Sequence, residues 1–413
     1  MNGGGAPLAL VGGTAITPYR REENCSLVLS GGRIEQMGQI GDLKVSSNIT
    51  QINLDGKYIL PGFIDLHVHG GYGYDFCDDD PKAFDEISRF HARYGTTSLM
   101  ATIYPQPLEP FIEKIKQLRT YCETAPLHRI IEGIHLEGPF LNPEMHGAIR
   151  PDWMWPATME NFQHIMEAAG SWARVMTIAP EIPGALELIR MAALKKRGAS
   201  SKTNGNIYPL HLSIGHSCAP YEKLSEAIDN GLEGVTHIFN AMPSMHHRKP
   251  GILTGTLLRD ELFVEVIADS LHVHPAMLRL LMKVKTHDRI LLITDAIRAA
   301  GQPEGRYIFS DQEIELRKGR AFLAHHPETL AGSTLNMGKA LRTMVKYAGA
   351  SLEQAAQMAS LNASRVLTWK YRRGILAVGK DADLAILDQD LHVVMTIKRG
   401  HIVWSKEMDE KSE

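Results

Sequence analysis

The segment Pro61-Gly-Phe-Ile-Asp-Leu-His67-Val-His69-Gly70 ends an apolar run with two histidines two residues apart. On a strand, residues i and i+2 share a face, so His67 and His69 point the same way. Two imidazoles on one face suit a shared metal ion. Glu137 closes a second apolar run, in Gly133-Ile-His135-Leu-Glu137-Gly-Pro-Phe140. A carboxylate there is costly to bury unpaired, and a metal would pair it. His216 follows the run that begins at His211, His237 lies in Gly234-Val-Thr-His237, and Asp295 ends Leu291-Leu-Ile-Thr-Asp295. Taken singly, each fits a core histidine or a loop carboxylate. Taken together, nitrogen and oxygen ligands without thiolate suit zinc, with iron, manganese and cobalt as alternatives. A cation so held lowers the pKa of a bound water and polarises a carbonyl. Asp295 can then take up a proton and give it to a leaving group, which is the chemistry of amide or ester hydrolysis.

The elements that must position these groups are read from the same pattern. Eight apolar runs (63–68, 97–103, 130–136, 174–179, 209–214, 234–238, 263–268 and 289–294) alternate with helical spacing. Helices are expected over 80–94, with Asp80-Pro81 as its start, over 109–122 and over 220–230. Eight βα units predict an α/β chain forming a (β/α)8 barrel, with a doubly wound sheet as the alternative. In a barrel, the ends of the strands are where sites are built. Residues 1–60 and 371–413 read instead as short strands and turns. They predict one small β-sandwich domain made by both termini, beside a catalytic barrel spanning 61–370.

Composition narrows the classes. The 413 residues carry 44 Lys+Arg and 47 Asp+Glu, a net charge of −3 that gives no footprint for nucleic acid. No apolar run reaches the length of a membrane span, and the start lacks the basic region of a signal peptide. Cys25, Cys77, Cys122 and Cys218 are far apart and form no CxxC pair, which predicts reduced thiols and a cytoplasmic protein.

The motifs PGFIDLHVHGG, HLEGPF, GHS, THIFNAM and TDA, in that order, resemble the amidohydrolase superfamily. HLEGPF and THIFNAM are most similar to its N-acetylglucosamine-6-phosphate deacetylase family, and GILAVGKDADLAILD resembles the superfamily's return into its β-domain. The resemblance implies hydrolysis of N-acetylglucosamine 6-phosphate to glucosamine 6-phosphate and acetate. It implies Glu137, His216 and His237 as ligands of the main metal and Asp295 as catalytic base and acid. Because His67 and His69 are kept, one or two divalent ions per subunit are expected; His211 is read as core or supporting. The amino-sugar phosphate is expected on Ala148, Asn240, Ala241, Arg248, His272, Leu330, Ala331 and Gly332. Arg248 is expected to reach across a homodimer interface. Ile149 stands where the family has a histidine, which opens the galactosamine epimer as a substrate. A cyclic-amide hydrolase is the other alternative, but the fourth run, Arg174 to Pro180, lacks the lysine such enzymes use. Filled ligand positions argue against an inactive binding protein of the same fold.

Overall fold

The computed structural model describes residues 5–43, 48–126, 128–198 and 210–410. Along the chain come β1 (Leu8–Ile16), β2 (Arg21–Ser30), β3 (Arg33–Gln39), β4 (Thr50–Asn53) and β5 (Tyr58–Pro61). The next strand, β6 (Phe63–Val68), is followed by a hairpin of β7 (Gly70–Gly71) and β8 (Tyr74–Asp75), then α1 (Ala83–Ala92). Strand–helix pairs continue with β9 (Thr96–Ile103) and α2 (Leu108–Thr124), β10 (Ile131–Glu137) and α3 (Met159–Ala169), and β11 (Ala173–Ile178) and α4 (Ala185–Gly198). They run on through β12 (His211–Ile214) and α5 (Tyr221–Asp229), β13 (Gly234–Val235) and α6 (Gly251–Leu258), and β14 (Phe263–Ile267) and α7 (Pro275–Val284). The eighth pair is β15 (Ile290–Ile293) and α8 (Met337–Thr343).

All eight expected strands are present, in parallel order from β6 through β9 to β15. Residue 209 of the fifth lies outside the described residues. Their near-continuous burial, as in β6, β9 and β11, is the signature of strands covered on both faces. The first and last strands meet around Asp65. Its carboxylate accepts the Thr294 hydroxyl at 2.7 Å, while the Asp295 N–H donates to the His67 carbonyl at 2.8 Å. Val68 and Ala296 pair in parallel there.

Helix α2 buries Phe111, Ile115, Leu118 and Cys122, the stripe its spacing predicts. Helix α1 starts later than expected. Asp80 accepts the Lys82 N–H in a turn ahead of it, and Lys82 occupies the cap position without a side-chain bond. Pro220 precedes α5 as read.

Both flanks join one sheet, ordered β22-β21-β20-β5-β1-β2-β3, where β20 is Leu384–Leu387, β21 Val393–Lys398 and β22 His401–Ser405; β4 pairs with β1. Leu10, Leu27, Ile59, Leu384 and Ile397 form its core. The sequence reading missed a third sheet, inserted between β15 and α8: β16 (Gly305–Phe309), β17 (Gln312–Arg317), β18 (Arg320–Leu323) and β19 (His326–Leu330), all antiparallel. Its Phe309, Ile314 and Leu316 pack with Tyr104, Ala148 and Ile149 beside the mouth of the barrel. No helix among the described residues is long and apolar enough to cross a membrane.

Candidate metal centre and substrate pocket

The carboxyl ends of the barrel strands bring six predicted residues to one point. His67 and His69, on one face as their spacing requires, place their Nε2 atoms 3.2 Å apart. Glu137, the last residue of β10, lies between two groups. Its Oε2 is 3.1 Å from His69 Nε2, and its Oε1 is 3.2 Å from both His216 Nε2 and His237 Nε2. The His216 and His237 Nε2 atoms are 3.1 Å apart. Asp295 Oδ1 completes the first group, 3.4 Å from His67 Nε2 and 3.3 Å from His69 Nε2. All six side chains are buried or nearly so.

Backbone strain helps aim them. His216, His237 and Asp295 have φ of 47°, 31° and 50°, left-handed values that non-glycine residues avoid. Such outliers cluster where a site over-determines the chain. Each lies just beyond a short strand and turns its side chain from the strand line into the mouth.

These contacts have the spacing of ligands around an ion. With metal–ligand bonds of about 2.0–2.2 Å, neighbouring donors stand about 3.0–3.5 Å apart. The His216 and His237 pair offers no hydrogen-bond logic of its own, because His216 Nδ1 already faces the Met145 carbonyl at 2.8 Å. With Nδ1 protonated, His216 turns a lone pair toward the centre. The donor set therefore fits divalent metal in two groups at the mouth, Glu137, His216 and His237, and His67, His69 and Asp295; a third group of the same spacing, His67, His135 and Glu265, shares His67. Glu137 can face both through its two oxygens. The charges agree. Burial opposes ionisation of Glu137, yet without a metal the protonated forms of His67, His216 and His237 hold its carboxyl well below the usual range, supplying the positive charge that a bound cation would supply once their Nε2 lone pairs face it. Burial likewise opposes ionisation of Asp295, but His67 and His69 hold it below its usual value.

The cluster forms the floor of a cavity of about 370 Å³. Of the residues expected on substrate, Ala148, Asn240, Ala241, His272, Leu330 and Gly332 line it. His272 is fixed by Asp269, whose Oδ2 is 2.7 Å from His272 Nδ1. At Gly332 φ is +56°, and a Cβ would come within 2.5 Å of Ile297, so the turn requires glycine. Two expected residues lie off the wall. Ala331 is fully buried behind it, because the turn directs its neighbours outward. Arg248 is on an exposed loop, with its guanidinium against His247 at 2.8 Å. His211 sits at the opposite end of its strand, 3.4 Å from Glu233, and belongs to no ligand group.

Three residues below the floor were not read from sequence. Glu265 on β14 contacts His67 Nδ1 at 3.3 Å, and His135 packs against the His67 ring at a centroid distance of 4.5 Å. Asp65 lies at the seam; burial raises its pKa to about 7. Phe309 was also missed. It reaches the cavity from the inserted sheet and meets the His69 ring edge-on at 5.4 Å. Glu265 had a visible signal, a lone charge inside the apolar run Phe263-Val-Glu-Val-Ile267.

The amidohydrolase family model matches residues 58–403. An N-acetylglucosamine-6-phosphate deacetylase of Bacillus subtilis is 36% identical over 356 residues, covering 85% of this chain and 86% of that protein. An N-acetylgalactosamine-6-phosphate deacetylase of Escherichia coli O157:H7 is 34% identical, covering 84% and 88%. Among solved structures, an N-acetyl-D-glucosamine-6-phosphate deacetylase from Mycobacterium smegmatis, in complex with N-acetyl-D-glucosamine-6-phosphate, superposes with a TM-score of 0.87 at 29% identity. That match covers 97% of this chain and 100% of that one.

Proposed function

Because the chain belongs to the amidohydrolase family, we propose that it hydrolyses N-acetylglucosamine 6-phosphate to glucosamine 6-phosphate and acetate. The observation that carries this reading is the convergence of four imidazoles and two carboxylates on the floor of one sugar-sized cavity, in a chain whose relatives of that name match it nearly end to end. Glu137, His216 and His237 would hold the main divalent ion, and His67, His69 and Asp295 a second. Zinc is the assigned metal. When bound, such an ion supplies an acidified water and a Lewis acid for the amide carbonyl. Asp295, held ionised at neutral pH, takes the proton of the attacking water and returns it to the amine as acetate leaves. His272, Asn240, Leu330 and Gly332 line the cavity where sugar hydroxyls or phosphate would bind. The buried Phe309 and Ile149 make an apolar patch beside His69 that suits the acetyl methyl and excludes water.

The deciding experiment measures acetate release from this sugar phosphate and from its galactosamine epimer side by side. The epimer is the second reading, favoured by the Escherichia coli relative and by Ile149 at the cavity wall. Turnover of the gluco compound at tenfold or greater preference upholds the first reading; the reverse preference selects the second. Exhaustive chelation should lower activity more than 100-fold, and readdition of zinc, iron, manganese or cobalt should restore it, with metal content followed on the same sample. Activity that survives complete metal removal refutes the metal-dependent reading.

We assign the protein as a homodimer in which Arg248 serves the neighbouring copy's phosphate. The exposed loop carrying Arg248, outside its own cavity lining, supports this. A guanidinium–phosphate bond contributes about 1.5–3 kcal/mol. Arg248→Ala is therefore expected to raise KM about 10–100-fold with kcat little changed, and sedimentation should show a dimer. An unchanged KM removes Arg248 from the site. The four free cysteines suit a reducing cytoplasm.

A further inference from the structure

Glu265 enters the barrel interior from β14, and its side chain is 2% exposed. Its Oε2 accepts from His67 Nδ1 at 3.3 Å, and its Oε1 has no hydrogen-bond partner among the described residues. The groups around it cannot replace that contact. His135 Nδ1 donates to the Leu66 carbonyl at 2.9 Å, and its Nε2 meets the Thr177 hydroxyl at 2.9 Å, so both ring nitrogens are used. His237 turns Nε2 to Glu137. A buried carboxylate with a single partner is costly unless the arrangement has a purpose.

His67 is also the imidazole most embedded in the site. Its Nε2 lies 3.2–3.4 Å from His69, Glu137 and Asp295 at once. The four site imidazoles are backed differently. His216 Nδ1 faces a backbone carbonyl, while His69 Nδ1 and His237 Nδ1 have no hydrogen-bond partner among the described residues. Among the described residues, His67 alone of the four is backed by a carboxylate. A carboxylate behind a ligating imidazole fixes its tautomer and strengthens it as a donor.

We infer that Glu265 is a positioning residue for the cluster of His67, His69 and Asp295: it holds His67 with the proton on Nδ1 and the lone pair of Nε2 turned to the centre, and so sets how tightly that half of the site binds a divalent cation. This rests on the metal-dependent reading above. It separates the two halves of the site, because among the described residues Glu265 hydrogen-bonds His67 and no side chain of the Glu137, His216 and His237 cluster, and His216 is oriented by the Met145 carbonyl.

The test is cobalt(II) titration of metal-stripped protein against a competing chelator, followed by visible absorption, with circular dichroism to confirm folding. Glu265→Gln keeps the volume and an acceptor but loses the charge; Glu265→Leu loses both. Wild-type protein is expected to take up two ions. In Glu265→Gln the second ion should bind about tenfold more weakly, and in Glu265→Leu up to about 100-fold, with an altered visible spectrum and the first ion unchanged. Should the leucine variant misfold, the near-isosteric glutamine variant decides alone. Two ions held at wild-type affinity in the glutamine variant overturn the inference, as does weakening of both ions equally or a wild-type protein that takes up one ion only. Wild-type protein that takes up no ion overturns the metal-dependent reading as well, so the two failures are distinguishable.

Discussion

Asp295→Asn is expected to lower kcat by about 10²–10⁴-fold while the protein stays folded and keeps the ion at Glu137, His216 and His237. The substitution preserves the shape of a side chain set at a strained φ of 50°. The backbone anchors survive, because the Asp295 N–H donates to the His67 carbonyl and the Asp295 carbonyl accepts from Ser333, both at 2.8 Å. What is lost is proton chemistry. An amide cannot accept the proton of an attacking water or return one to the departing amine. The aspartate is suited to both, because it is ionised at neutral pH yet lies 3.3 Å from His69 Nε2 on the cavity wall. Removal of Oδ1 as an anion also weakens the His67, His69 and Asp295 cluster, so metal analysis of the variant should show loss confined to that half. The assay is acetate release at saturating substrate, paired with metal content. A kcat within tenfold of wild type, with both ions present, would remove Asp295 from the proton path.

Much of this site was legible because barrels place chemistry where apolar runs end. His67, His69, Glu137 and Asp295 each close or follow such a run, and strand periodicity alone put the two histidines on one face. What escaped depended on long-range contact or on surfaces made by assembly. Glu265 stands 198 residues from the His67 it touches, and nothing local named that partner. The inserted sheet had its own signals: Ser310-Asp311 and Lys318-Gly319, with φ between 49° and 72°, are two-residue hairpin turns joining β16 to β17 and β17 to β18. Its strands alternate in burial as half-covered strands do. Even with the hairpins recognised, local pattern could not have shown that Phe309 would face His69. Arg248 and Ala331 show the converse. Motif position put both on substrate, but the folding of their own turns takes them off the cavity wall of this chain.

Glu132→Gln is expected to destabilise the fold by about 3–5 kcal/mol without touching the site, the penalty typical of breaking a buried ion pair from one side. Glu132 lies near the start of β10, at the end of the barrel away from the metal centre, where the terminal sheet packs. Its carboxylate pairs with Arg373 and with Lys398 Nζ at 2.7 Å. Arg373 Nε also meets Asp381 at 2.9 Å, and Lys398 meets Asp383 at 3.0 Å and the Ser98 hydroxyl at 3.1 Å. Lys398 is fully buried and Arg373 nearly so. A neutral glutamine leaves these two cations sharing fewer anions in a place water cannot reach. For a chain of this length the deficit corresponds to a Tm lower by about 3–6 °C. The sign with pH follows from the carboxyl itself. Burial opposes its ionisation, but Arg373 and Lys398 outweigh that and lower its pKa from 4.5 to about 2. A depressed folded-state pKa stabilises above the unfolded value, and that contribution is lost as pH falls from about 4.5 toward 2. The difference between wild type and variant should therefore be full at pH 7, shrink below pH 4.5 and vanish near pH 2. Thermal denaturation across that range tests it. A gap that stays constant down to pH 2.5 would mean that the glutamine costs stability through packing, and that the Glu132 charge is not what joins barrel and terminal sheet.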